Sequence, residues 1–256
     1  MNAAALRYYR DLLFVLVAKD LKVRYKSTFL GYAWSPLHPL AFAVVFFFVF
    51  RIIIQFEVEN FALFLIAGLF PWHCLSNSLV ASNAFFLGNG PPIKKVRFPR
   101  ALLVLAGVLN DAVHSAISIP VILLFMLCCR VYPSPCWLWG VPLLFAVQLL
   151  LTYGLSLLLA SLNLFFRDLE RLTVILVLLL FYLTPVICPE GMVPEQFRWM
   201  LYANPMAPVT VAWRGLFLEG SLRLGFCAVA LVTALLVLVV GHLVCRKLEW
   251  RVAEVV

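Results

Sequence analysis

A chain of 256 residues with 64% hydrophobic side chains, only 12% charged ones and a mean hydropathy of +1.03 has too little polar surface to solvate a globule of its size. Its formal charge of +8 fits a polytopic membrane protein whose cations gather on cytoplasmic loops, and it does not call for a nucleic-acid partner. The chain therefore reads as an all-α integral membrane protein, with a single membrane domain expected and little room left for a separate soluble one.

From Ala5 to Tyr25, the apolar residues Leu6, Tyr9, Leu13, Leu16 and Val17 recur at three- and four-residue steps, while Arg7, Arg10, Asp11, Lys19, Lys22 and Lys26 take other faces. This predicts an N-terminal amphipathic interface helix on the cytoplasmic surface; a helix packed on a partner protein would show the same pattern. No apolar core with a small-residue cleavage site accompanies Arg7 and Arg10, so no cleaved signal peptide is expected. Lys19, Lys22, Arg24 and Lys26 then form a basic collar ahead of Pro36 and Pro39. Cations at such a junction are drawn to anionic headgroups by about 1 kcal/mol each, so the collar could also receive a phosphorylated lipid.

Six spans are expected: Trp34 to Ile54, Phe61 to Phe86 with interruptions at Gly68, Pro71 and His73, Ala101 to Cys129, Trp137 to Leu164, a short fifth from Leu172 to Cys188, and Phe226 to Cys245. The loop from Gly88 to Arg100 is broken by Gly and Pro and carries Lys94, Lys95, Arg97 and Arg100; Arg167 and Arg171 mark the next cytoplasmic turn. Fifteen of the 20 cations fall on the side of both termini and the even-numbered loops, leaving Arg51, Arg130, Arg198, Arg214 and Arg223 opposite. That bias predicts both chain ends inside. Between the fifth and sixth spans, Pro189 to Gly225 mixes Phe197, Trp199, Tyr202, Trp213 and Phe217 with charged residues, and Pro205 and Pro208 break it. Short re-entrant helices on the outer side fit this segment.

No catalytic constellation is present. Asp168 and Glu170 sit between Arg167 and Arg171 as a local ion-pair cluster, the four histidines lack metal-motif spacing, and the seven cysteines form no CxxC pair. No disulfide, metal or cofactor is expected on the chain. Asp111 and His114 do fall within a span, three residues apart, and are expected to satisfy one another or to use Asn110 and Ser115 to lock helix packing. No GxxxxGK[ST] occurs: GNGPPIKK from Gly88 lacks the second glycine and the Ser or Thr, so any ATPase must be a separate chain. The four-cation loop is a surface such a partner could grip. Phe42, Phe46 and Phe50 repeat at four-residue steps, with Trp34 and His38 extending the series, as helix packing or as a conduit wall able to hold sugar faces weakly.

Six collinear blocks carry a resemblance: LGYAWSPLHPL (Leu30 to Leu40), GLFPWHCLSNSL (Gly68 to Leu79), IKKVRFPR (Ile93 to Arg100), LNLFFRDLERL (Leu162 to Leu172), LTPVICPEGMVP (Leu183 to Pro194) and NPMAPV (Asn204 to Val209). Together they resemble the ABC-2 family of membrane permease subunits, above all those exporting O-antigen, capsule or teichoic-acid chains. The resemblance divides the chain into residues 1–33, the interface helix, and 34–256, an ABC-2 type six-span domain. It implies a homodimer in the bacterial inner membrane, joined to two ATP-binding-cassette subunits that hold ATP and Mg and moving a polyprenyl-pyrophosphate-linked glycan. It also implies that Lys94, Lys95 and Arg97 adjoin the ATPase and that the first and fifth spans border the conduit, with Trp34, Phe42, Phe46 and Tyr182 as lining residues. Lys22, Arg24 and Lys26 are assigned to the pyrophosphate from their charge alone. HPL stands where LNP-like patterns are common and CPEG where an aromatic follows Pro-Val. A drug exporter of the same superfamily is the alternative within transport. An enzyme acting on polyprenyl phosphate is the alternative outside it, and it would need clustered carboxylates that the chain lacks.

Overall fold

The computed structural model describes residues 3–25, 29, 31–86 and 98–255; Lys26, Lys94, Lys95 and Arg97 lie outside them. The described elements are helical throughout. They are α1 (Ala3–Tyr25), α2 (Trp34–Phe46) with a π-helical continuation Phe47–Ile53, α3 (Phe61–Ser82), α4 (Ala101–Cys128), α5 (Trp137–Asn163) and α6 (Leu169–Leu183). Short turns then lead into α7 (Met200–Ala203), α8 (Ala207–Arg214) with a π-helical extension Gly215–Glu219, and α9 (Leu224–Val255).

Among the described residues, five helices are long and apolar enough to cross a membrane: Gly31–Ile53, Phe61–Ser82, Ala101–Cys128, Trp137–Asn163 and Leu224–Leu248. The short span expected from Leu172 is α6, which starts three residues earlier and ends at Leu183. At 15 residues it is about 22 Å long, less than the roughly 30 Å of a hydrocarbon core.

α3 is the central post, with 83% of its apolar window buried, against 11% for the window of the first span. Apolar residues occur all round α3, which suits a helix packed on every side. The expected interruption at Gly68, Pro71 and His73 does not occur, and the helix runs unbroken from Phe61 to Ser82. A proline inside a helix loosens the local backbone, and neighbouring elements can re-satisfy it. The carbonyl that loses its donor to Pro71 is that of Ala67, four residues earlier. The Gln148 side-chain amide on α5 donates instead to the Pro71 carbonyl itself at 2.8 Å and so fastens α5 to this turn.

The seam between α5 and α9 depends on missing side chains. A Cβ on Gly154 would stand 2.7 Å from Leu238 Cα, a backbone atom that cannot turn aside. Close approach through small residues is how helices gain packing where lipid offers no hydrophobic contrast. Gly154→Ala should therefore lower stability by about 2 kcal/mol, read as an earlier midpoint in detergent unfolding, while Gly225→Ala, with open space around it, should shift it by less than about 0.5 kcal/mol.

At one end of the bundle α1 lies against its own chain. Tyr9, Leu12, Leu13, Leu16 and Val17 pack on a cluster that includes Phe86, Phe98, Leu103 and Val104. The apolar face read from the sequence is thus occupied within the subunit. Beyond α6, the two helical pieces expected around a break at Pro205 and Pro208 are α7 and α8; the break lies at residues 204–206, and Pro208 stands in the first turn of α8. Asn204 shapes the bend, its side chain accepting from Met206 N–H and donating to Thr184 Oγ1, both at 2.9 Å.

Candidate functional site

α2 and α6 are poorly covered apolar segments, and the groove between them and α3 is a cavity of about 660 Å³. Aromatic rings furnish it. Phe42 and Phe46 follow one another along α2 with centroids 6.1 Å apart, Phe46 stacks on Phe181 at 5.9 Å, and Phe181 meets Trp72 of α3 at 5.3 Å. Tyr182 stands edge-on to Phe181, 70% exposed. Rings at these separations attract one another through their quadrupoles, which holds the wall in place while leaving ring faces open to a ligand.

The groove closes on a polar end. His38 approaches His73 edge-on at 4.9 Å, and Phe42 lies 5.6 Å from His73. Beyond them a second cavity of about 320 Å³ is lined by Trp34, Ser35, His73, Asp111 and His114. Arg24, His38, His73 and Asn77 border both cavities, so the two adjoin along this wall.

Asp111 sits at the floor of the inner cavity, 5% exposed. Its Oδ1 accepts from Arg24 Nη1 at 2.7 Å, and its Oδ2 accepts from Ser78 Oγ at 2.7 Å. This corrects the expectation that His114, Asn110 or Ser115 would satisfy it. A guanidinium supplies both charge and donor, so it outcompetes a neutral imidazole for a carboxylate cut off from water. His114 faces α2 instead, with Nδ1 3.1 Å from Ser35 Oγ.

The sequence-predicted residues divide accordingly. Phe42, Phe46 and Tyr182 share the groove, Trp34 borders the inner cavity, and Arg24 touches both. Lys22 is exposed on the last turn of α1 and lines neither. Lys26, Lys94, Lys95 and Arg97 fall outside the described residues. Trp72, Phe181 and Ser78 were not anticipated; Phe181 adjoins Tyr182, and Trp72 belongs to the GLFPWH block, so proximity was the available signal.

A second unanticipated centre is Arg214. Read from sequence as an outward-facing cation, it is only 5% exposed, with its guanidinium carbon 3.5 Å from the Phe64 ring centroid. It donates to the carbonyls of Pro185 and Val186, and at 3.4 Å to those of Phe64 and Cys188. Gly68 leaves it room: a Cβ there would lie 2.8 Å from Arg214 Nη2. The clamp fixes the chain leaving α6 against α3 and α8. Nearby, Arg223 pairs with Glu190 and Glu219.

Residues 11–218 match the family described as ABC-2 type transporter. The chain belongs to that family. This ABC-2 protein is 41% identical over 250 residues, 98% of its length and 96% of the relative's, to the O-antigen export system permease protein RfbA of Klebsiella pneumoniae. A protein of the same name from Myxococcus xanthus is 31% identical over 84% of the chain and 83% of its own length. The polysialic acid transport protein KpsM of Escherichia coli is 22% identical over 82% of each. With its apolar helices, the family makes this a multi-pass membrane protein.

Proposed function

We propose that this ABC-2 permease is the channel-forming subunit of an exporter that moves polyprenyl-pyrophosphate-linked O-antigen across the bacterial inner membrane. The observation that carries this reading is the 41% identity, over nearly the whole of both chains, to a protein named for O-antigen export. Export is driven by ATP bound with Mg on two separate cassette subunits. Six spans, α6 being the short one, leave both chain ends in the cytoplasm, and α7 and α8 form the re-entrant pair on the outer side. Two copies join through the uncovered faces of α2 and α6, so that the two aromatic grooves face one passage.

The wall suits the cargo. Sugar rings present apolar C–H faces that stack on aromatic rings without demanding one sequence of sugars, and a polymer must slide past its binding sites. Without nucleotide, the rings of Phe42 and Phe46 meet across the passage and close it. Lys94, Lys95 and Arg97 receive the cassettes, whose closure on ATP is passed to the spans, and the collar of Lys22, Arg24 and Lys26 receives the pyrophosphate.

Complementation tests the whole. In a strain lacking its O-antigen permease, the chain with its cassette partner should restore surface polysaccharide, and failure with a correctly inserted protein would refute the assignment. Reversing Lys94, Lys95 and Arg97 to Glu should abolish that display while the cassettes still hydrolyse ATP; unchanged display would remove the loop from docking. In planar bilayers, Phe42→Ala with Phe46→Ala should raise the ion conductance of the nucleotide-free complex about tenfold or more, because a dry aromatic constriction holds back hydrated ions. A tight variant would show that these rings do not close the passage.

A further inference from the structure

The two cavities meet at Arg24, and its surroundings go beyond what a basic collar implies. Arg24 is 42% exposed, yet the carboxylate it holds is 5% exposed and secured on its other oxygen by Ser78. A guanidinium has five N–H donors, and the hydrogen bond to Asp111 occupies one nitrogen. The remaining face looks onto the wall shared with His38, His73 and Asn77. His73 Nε2 is buried there without a hydrogen-bond partner. One planar fork, two imidazoles and an amide beside cavities of about 320 and 660 Å³ are the donors that phosphate oxygens require.

We propose that this wall is a diphosphate site held in a resting state, in which the Asp111 carboxylate occupies the substrate's place on Arg24 and the arriving lipid diphosphate exchanges with it, releasing the end of α1 from α4. The inference rests on the export reading above and adds what the headgroup does there. Exchange leaves Asp111 with Ser78 and cavity water, so it proceeds only for an anion that offers Arg24 more charge and more oxygens than a carboxylate does. A diphosphate meets that condition, whereas the single charge of an ordinary phospholipid does not. The carboxylate thus excludes the bulk membrane lipid from the site, and α1 reports the exchange toward the cytoplasm.

The test uses the intact exporter, permease with its cassettes, in phosphatidylcholine nanodiscs, with labelled farnesyl diphosphate as probe. Removing a tethered competitor raises apparent affinity, so Asp111→Asn should bind the probe about tenfold more tightly than the parent. Arg24→Gln combined with Asp111→Asn leaves no bare buried charge and should bind the probe at least about tenfold more weakly than Asp111→Asn alone. Inorganic pyrophosphate should compete with the probe, and phosphatidylglycerol added to the discs should not. Unchanged affinity in Asp111→Asn, parent-like affinity in the double variant, or displacement by phosphatidylglycerol would each overturn the proposal. If those results come from a complex that still displays O-polysaccharide, the resting-state exchange falls and the export function stands.

Discussion

Arg214→Met should leave almost no folded permease in the membrane at 37 °C. Replacing a buried ion by an apolar side chain can be harmless when its partners are replaced too, but here the partners are main-chain carbonyls at Phe64, Pro185, Val186 and Cys188 that remain after the substitution. Each buried acceptor left without a donor costs about 1–3 kcal/mol, so the loss is about 4 kcal/mol or more, much of the roughly 5–15 kcal/mol that holds a domain together. Arg214→Lys keeps the charge but reaches fewer carbonyls and should fall between the two. Fluorescence-detected gel filtration of detergent extracts across a temperature series reads the order. A Met variant as heat-resistant as the parent would mean that the guanidinium does not fasten the chain after α6.

The pair at Arg24 and Asp111 should respond unequally to the loss of either member. Arg24→Ala strands a carboxylate that is 5% exposed and retains only the Ser78 hydroxyl, a loss of about 3 kcal/mol. Asp111→Asn leaves Arg24, 42% exposed, free to turn toward water, and keeps a side chain that can still meet Ser78 Oγ, so it should cost about 1 kcal/mol. Unfolding midpoints of the two variants, measured side by side, decide the matter. Equal losses would mean that the carboxylate is better hydrated than its burial shows.

What the sequence revealed and what it hid follow the range of the interactions involved. Trp34 to Ile54, Ala101 to Cys129 and Trp137 to Leu164 were found to within a residue because about 20 contiguous apolar residues announce a span locally. The stripe of Phe42 and Phe46 was visible for the same reason, being written at helical spacing on one element. Their companions Trp72 and Phe181 come from two other helices, and no local pattern joins them. Pro71 looked like a break because the packing that carries α3 through it is non-local, the Gln148 contact to its carbonyl coming from 77 positions away. Asp111 was matched with a neighbour on its own helix, whereas its cation lies 87 positions upstream. Arg214 looked solvated because the carbonyl of Phe64 is 150 positions distant. Charges buried by long-range packing look, in a linear reading, the same as charges left in water.

The Gln148 side chain has a mechanical consequence. Its amide donates to Pro71 of α3 while its oxygen accepts from Trp213 Nε1 of α8 at 2.8 Å, so one residue of α5 ties three elements into a single block. A block tied in this way, and seated against α9 through Gly154, behaves as a stator. In the exporter proposed above, motion driven by the cassettes would then fall to the loosely held parts, α2 and α6, moving along a frame that stays still.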